Sequence, residues 1–407
     1  MQAKKTLDSP FNLLVMVASL GYFVDIYDLI LFNVVKKNSL LALGIPESQI
    51  ELEGITLFNL QMVGMLVGGV LWGVLGDKKG RVKVLFGSIL LYSLANIANA
   101  FVSDLFQYGL IRFIAGVGLA GELGAGITLV SETMSKEKRG LGTMILVTFG
   151  ALGAVFAALI ADAFDWKTSY LVGGGMGLLL LLVRMTALES DMFKNIKHRA
   201  IEKGHFRVIF RDKKSILTYL SCIGVGLPVW FVIGLLIALC VTFAKVNSVQ
   251  GEVNTGEAIM YAYIGLSVGD LISGILSQWL KSRKKVVVLY LVFCALLSVV
   301  FLFYRELALS QFYVLCLLLG IGTGYWALFV TIASEQFGTN IRSTVTTTVP
   351  NFVRGAVWPI TYGFKLLLPS LGEVGAAALV GAVCIALASA SIAYLDESFA
   401  KDLDYQE

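Results

Sequence analysis

Asp25, Asp28, Arg112, Glu122, Asp270 and Arg354 each stand in a stretch where nearly every neighbour is apolar. A carboxylate in such low-dielectric surroundings, if left without a partner, can hold a proton in one setting and release it in another. A guanidinium there offers a rigid fork of donors that matches a carboxylate or a phosphate through paired hydrogen bonds. Charge in hydrocarbon costs several kcal/mol unless it is paired or faces water, so each of these residues is a candidate site. No nucleophile beside a base, no metal-ligand set and no phosphate-binding loop accompanies them, so enzyme chemistry, a metal and any other cofactor are not expected.

The elements that position these charges follow from composition. The chain has 407 residues, of which 57% are hydrophobic and 15% charged, and its mean hydropathy is +0.80. That is too much apolar surface for a water-soluble fold, and runs of about 20 apolar residues, the length that crosses ~30 Å of hydrocarbon as a helix, recur throughout. We read twelve spans, at 11–34, 54–76, 83–102, 106–131, 141–161, 169–188, 215–243, 257–280, 285–304, 310–333, 342–364 and 374–395. With both termini on the cytoplasmic side, cytoplasmic segments hold 23 of the 32 Lys and Arg residues, which sets the expected orientation. The first span follows only Lys4 and Lys5 and has no small-residue cleavage site after it, so a retained helix is expected. Cys222, Cys240, Cys294, Cys316 and Cys384 fall within spans and read as packing residues, and His198 and His205 lie in a basic loop, away from the spans.

Counting along the spans gives depth. Asp28 and Arg112 both come out roughly 9 Å beyond the midplane on the external side, and are expected to pair. Asp25 falls ~4 Å outside the midplane and Glu122 ~6 Å inside it, with no partner assignable to either. Asp270 and Arg354 lie near the middle of spans eight and eleven. They either neutralise each other permanently, or Arg354 anchors an anionic substrate while Asp270 holds it in the empty site. Tyr27, Trp326 and Asn351 are candidate lining residues, and Pro228 and Pro359 are candidate kinks.

Two sequence features tie the spans into halves. Between spans two and three runs Gly73-Val-Leu-Gly-Asp77-Lys-Lys-Gly80-Arg81-Val-Lys83, a tight cationic hinge with one embedded carboxylate. Its echo, Gly274-Ile-Leu-Ser-Gln278-Trp-Leu-Lys281-Ser-Arg283-Lys284-Lys285, keeps the charge and loses the aspartate. Ser131-Glu132, seven residues before Arg139, recurs 203 residues on as Ser334-Glu335, seven residues before Arg342. The expected fold is therefore an all-α membrane protein of twelve transmembrane helices in two pseudo-symmetric six-helix bundles. The divisions are an N-terminal bundle at 1–188, a basic linker at 189–214, a C-terminal bundle at 215–395 and an acidic tail at 396–407.

The hinge, the Glu-x6-Arg endings, the Asp25-Ile-Tyr27-Asp28 of span one and the Arg112 and Gly121-Glu122 of span four resemble the major facilitator superfamily, in its branch of sugar porters and of phosphate:proton and metabolite:proton symporters. The resemblance implies secondary active transport by alternating access, with proton and substrate handling at Asp25, Asp28 and Glu122. Gly-Glu-Leu stands in span four where the phosphate transporters have an aspartate, an aromatic residue and a proline, which argues against phosphate. Span five lacks the Gly-Pro pair that marks drug:proton antiporters.

The expectation is a multi-pass protein of a bacterial inner membrane, a monomer with both termini cytoplasmic, whose partners are the lipid bilayer, protons and a small anionic substrate, with no nucleic acid. Asp25 and Glu122 carry the proton, Asp28 and Arg112 form the outer pair, Arg354 with Asp270 binds substrate, and Asp77, Arg81, Glu132, Arg139, Glu335 and Arg342 serve as gates. Two alternatives stay open. Asp25 and Glu122 could bind an organic cation in a carrier or exporter, or the fold could serve a receptor that moves no solute.

Overall fold

The computed structural model describes residues 13–79, 81–134, 138–188, 212–338 and 341–399, and these are almost entirely helical. Helix is the form that lets a chain cross hydrocarbon with its backbone donors and acceptors satisfied within one segment. In the first half the helices are α1 (Leu13–Ala42), α2 (Ile50–Lys79), α3 (Arg81–Asn99), α4 (Leu105–Leu119), α5 (Glu122–Thr133), α6 (Arg139–Ala163) and α7 (Trp166–Leu188). The second half comprises α8 (Lys213–Phe231), α9 (Cys240–Val246), α10 (Thr255–Leu280), α11 (Arg283–Phe303), α12 (Leu309–Thr323), α13 (Trp326–Gln336), α14 (Arg342–Gly355) and α15 (Val357–Tyr394).

Among the described residues ten stretches are long and apolar enough to cross a membrane; Lys83–Asn99 is a shorter apolar helix, and Thr344–Tyr394 is a single stretch of 51 residues. Within that stretch Gly372, at φ 65°, breaks α15 just after Pro369, so two crossings share one continuous label. Counted this way the helices are consistent with the twelve expected spans. Several are interrupted. Span four changes helix at Ala120–Gly121, span ten at Gly324–Tyr325, and span seven passes from α8 through a wider π turn at Val232–Ile237, just after Pro228, into α9. Pro359 lies in the first turn of α15, directly after the break at Ala356. There proline needs no backbone donor, so it starts a helix and does not kink one.

The two halves repeat one crossing. On α2 and α4, a Cβ at Gly64 would overlap the Phe113 carbonyl and one at Gly116 would overlap that of Gln61. On α10 and α12, a Cβ at Gly265 would overlap the Leu317 carbonyl and one at Gly320 that of Ala262. These reciprocal glycine-on-carbonyl contacts lie 201 and 204 residues apart, close to the spacing of the Ser-Glu echo. Such contacts let membrane helices pack with backbones in van der Waals touch.

The halves meet along α2 against α14 and α6 against α10. Toward the Lys- and Arg-rich end, Thr128 and Thr346 share a hydrogen bond of 2.6 Å, and Asn351 donates to the Ala120 carbonyl at 2.8 Å. Toward the opposite end, Asn59 donates to Thr361 at 3.1 Å. The bundles therefore touch on both sides of their middle.

Candidate substrate and coupling site

At mid-depth α1 and α14 bring Tyr22, Asp25 and Arg354 together across the bundle interface. Arg354 Nη2 lies 3.4 Å from Asp25 Oδ2 and donates to the Tyr22 hydroxyl at 3.3 Å. The guanidinium also lies over two rings, 5.8 Å from the centroid of Tyr22 and 6.0 Å from that of Trp326. Trp326 Nε1 donates to the Tyr22 hydroxyl at 3.0 Å, which fixes both rings. Arg354 and Asp25 are fully buried, yet Arg354 Nε and Nη1, and Asp25 Oδ1, have no hydrogen-bond partner. Beside them is a narrow cavity lined by Tyr22, Ile26, Trp230, Tyr263, Leu266 and Trp326, among others. The site is an aromatic box with one half-used guanidinium.

The expected partnership of Arg354 with Asp270 is not formed. Asp270 instead accepts the Ala327 amide at 2.9 Å, capping the start of α13 where span ten is interrupted. The first amides of a helix lack intrahelical acceptors and carry partial positive charge, so a carboxylate from the adjacent α10 is well placed there. Asp270 sits close to span ten because Gly269 and Gly324 meet backbone to backbone.

Glu122 is not the isolated carboxylate that its sequence context implied. Arg184 of α7 grips it with both terminal nitrogens, Nη1 to Oε2 at 3.0 Å and Nη2 to Oε1, and also donates to the Val17 carbonyl at 3.2 Å. Both side chains are buried. Arg184 was legible only as a cation within a span; the rule that such a cation needs a partner is the signal that points to it.

The expected Asp28–Arg112 pair is also absent. Arg112 donates to Gln61 Oε1 and lies 4.8 Å over the Phe32 ring, while neither oxygen of Asp28 completes a hydrogen bond. Equal depth brought the two to one level, but Arg112 turns toward α2 and Asp28 toward α7. Arg112 thus lies within the first bundle and not on the cavity wall. Tyr27 is likewise turned inward, its hydroxyl donating to the Ser169 carbonyl at 2.8 Å. Asn351 ties α14 to the break in span four and to the Thr347 carbonyl. Among the expected lining residues, Trp326 borders the cavity.

Of the expected gates, Asp77 lies in α2, Glu132 in α5, and Arg81, Arg139 and Arg342 open α3, α6 and α14; their side chains fall outside the described residues. Glu335 is held by Arg283, Nε to Oε2 at 2.7 Å and Nη2 to Oε1 at 3.0 Å, and by the Ser398 hydroxyl at 2.8 Å. Arg283 belongs to the second copy of the hinge, so that copy keeps a defined partner although it lost its aspartate.

Residues 18–361 match the family model of the Major Facilitator Superfamily. The chain belongs to the Major Facilitator Superfamily. Among relatives, the Niacin transporter NiaP of Acinetobacter baylyi is 25% identical over 315 residues, covering 70% of this chain and 72% of that protein. The Sialic acid transporter NanX of Escherichia coli K12 is 25% identical over 279 residues, covering 65% of this chain and 67% of that one. The solved structure of the proton:xylose symporter XylE bound to 6-bromo-6-deoxy-D-glucose superposes with a TM-score of 0.71 at 15% identity, covering 96% of this chain and 97% of that one, which is a likeness of fold. As a member of the Major Facilitator Superfamily the chain is a multi-pass membrane transporter of small molecules.

Proposed function

We propose that this transporter imports a small planar carboxylate together with protons across a bacterial inner membrane, with both termini cytoplasmic, by alternating access between its two bundles. The observation that carries the reading is Arg354: a buried guanidinium held through one nitrogen, by long contacts to Asp25 and the Tyr22 hydroxyl, with its other two nitrogens free, set between aromatic rings. A substrate carboxylate supplies the paired acceptors that the fork lacks, and a flat ring beside it stacks on the Tyr22 and Trp326 faces.

Coupling follows from competition. An arriving carboxylate and Asp25 are like charges sharing one guanidinium, so substrate binding favours Asp25 taking up a proton and releasing Arg354. Glu122 and Arg184 form a second switchable pair nearer the Lys- and Arg-rich end, whose breakage frees α1 from α5 and α7. The relatives named for niacin and sialic acid, both acids, support an anionic substrate. The organic-cation reading has less support, because Asp25 and Glu122 each have an arginine partner.

The test is ligand-dependent melting of the purified protein with benzoate, nicotinate, phosphate, benzylamine and glucose, since a ligand that binds only the folded state raises Tm. Stabilisation by a planar carboxylate, lost in Arg354→Lys, is expected. Lysine keeps the charge and loses the fork. Stabilisation by benzylamine that Arg354→Lys leaves intact overturns the reading.

A further inference from the structure

A second set of buried polar groups lies inside the first bundle, away from the cavity. Asp28 of α1, Tyr92, Ser93, Asn96 and Asn99 of α3, and Arg112 of α4 are all fully buried. Each leaves polar atoms without a hydrogen-bond partner: both Asp28 oxygens, both polar atoms of Asn96 and of Asn99, the hydroxyls of Tyr92 and Ser93, and Nε and Nη1 of Arg112.

These groups form a continuous line. Tyr92, Asn96 and Asn99 follow i, i+4, i+7 spacing, so they share one face of α3. Asp28 and Asn96 each stand 15 residues from the Lys- and Arg-rich ends of α1 and α3, the same depth of ~22 Å. Tyr92 and Glu122 each stand 11 residues from the corresponding ends of α3 and α5, a depth of ~16 Å. On the facing helix α7, a Cβ at Gly173 would overlap Asp28 Oδ1 and one at Gly177 would overlap Ser93 Oγ. Glycine there leaves room one helical turn apart for the polar atoms of α1 and α3.

The mixture of groups decides the occupant. A metal cation satisfies acceptors only, and it would share this interior with the Arg112 charge. The unpartnered atoms include donors as well as acceptors, and water serves both.

Building on the proton-coupled reading above, we infer that a hydrated polar seam inside the first bundle, from Asp28 past Asn96, Ser93 and Tyr92 to Glu122, carries a coupling proton, besides the one that Asp25 takes up, on a route separate from the substrate path. A proton bound at Asp28 passes to the adjoining water, each water or hydroxyl oxygen along the seam accepting one proton as it gives up another while Asn96 orients the water, and the last transfer protonates the Glu122 carboxylate. Neutral Glu122 then no longer holds Arg184 by charge. Arg112, Arg184 and Asp25 are the other charged groups that border the route, and the two arginines keep an excess proton from resting midway.

Two measurements on the full-length protein in detergent, neither needing a substrate, test this. In radiolytic water-radical labelling, Tyr92 is expected to be modified despite its burial, whereas Tyr325, buried with its hydroxyl bonded to the Val225 carbonyl, is the dry control. Tyr92 as silent as Tyr325 overturns the seam. In pH-jump infrared spectroscopy, with Glu122→Gln identifying the Glu122 band, protonation is expected to slow about tenfold in Tyr92→Phe and in Asn96→Leu, a barrier increase of ~1.4 kcal/mol. Unchanged rates in both variants overturn the route. A wild-type protein in which Glu122 never protonates overturns the coupling reading itself, while the Tyr92 labelling still reports whether the seam holds water. Tyr92→Phe removes a single oxygen, so its result does not hinge on misfolding.

Discussion

Gly21 shows how closely single residues are matched around the coupling site. A Cβ there would overlap both Glu122 Oε1 and Arg184 Nη2, so the ion pair rests directly on the α1 backbone. Gly21→Ala is expected to push the pair apart and to lower Tm, since breaking a buried ion pair costs about 3–5 kcal/mol, whereas Gly175→Ala, with open space around it, should leave Tm unchanged. Thermal unfolding of the two variants checks this. Glu122→Gln is expected to lose proton-driven accumulation and keep substrate exchange, and loss of both would contradict a carrier role for Glu122. The sequence carried the identity and depth of these charges but not their direction around the helix. Depth grouped Asp28 with Arg112 and Asp270 with Arg354; azimuth, set by which helices neighbour one another, gave Arg184 to Glu122 and Asp25 to Arg354 instead.

Helix ends and crossings were only partly legible. Long apolar runs announce a span, so the helical fold was legible, but an interruption inside a run changes neither its length nor its hydropathy. The breaks at Ala120–Gly121 and Gly324–Tyr325 were therefore invisible. Gly116 and Gly320 are sites of close approach, each set against a carbonyl of the neighbouring helix. Gly116→Val and Gly320→Val should each destabilise by about 1–3 kcal/mol through overpacking against a carbonyl, and to similar extents if the halves are equivalent. Chemical unfolding in mild detergent measures both.

The first residues after α15, where an acidic tail is expected, are anchored in part. Glu397 accepts the Arg283 amide at 3.0 Å and bonds the Ser282 hydroxyl, capping α11. Partial burial raises its carboxyl pKa, but the hydrogen bonds from Ser282 and from the amides of Arg283, Phe399 and Lys284 outweigh that and hold it below its ordinary value. A lowered pKa means that the cap stabilises above the unfolded-state value and that this contribution fades as pH falls through the folded value. Glu397→Gln should cost about 1 kcal/mol at neutral pH, and the difference from wild type should shrink in acid, as Tm measured against pH will show.

At the scale of the molecule, two bundles related by an internal repeat meet at a polar centre and touch on both sides of it. Transport requires one set of those contacts to open while the other stays closed. Thr128 and Thr346, hydrogen-bonded across the interface at 2.6 Å, lie on the side toward the Lys- and Arg-rich end. A disulfide between Thr128→Cys and Thr346→Cys should therefore stop uptake, and a reductant should restore it. Full uptake by the cross-linked protein would mean that this side does not open. The repeat itself was legible from the Ser-Glu echo, because both copies keep the residues at the ends of their fourth spans. The packing of one bundle on the other was not, because it rests on side chains such as Thr128 and Thr346 that look ordinary in sequence.

The measurement to make first at this scale is uptake of the stabilising planar carboxylate into proteoliposomes of the purified protein, with and without an inside-alkaline pH gradient. Proton-coupled import predicts accumulation above the external concentration that needs the gradient, collapses when a protonophore is added, and is lost in Arg354→Lys. Equilibration to the external concentration, indifferent to the gradient and to the protonophore, would contradict it.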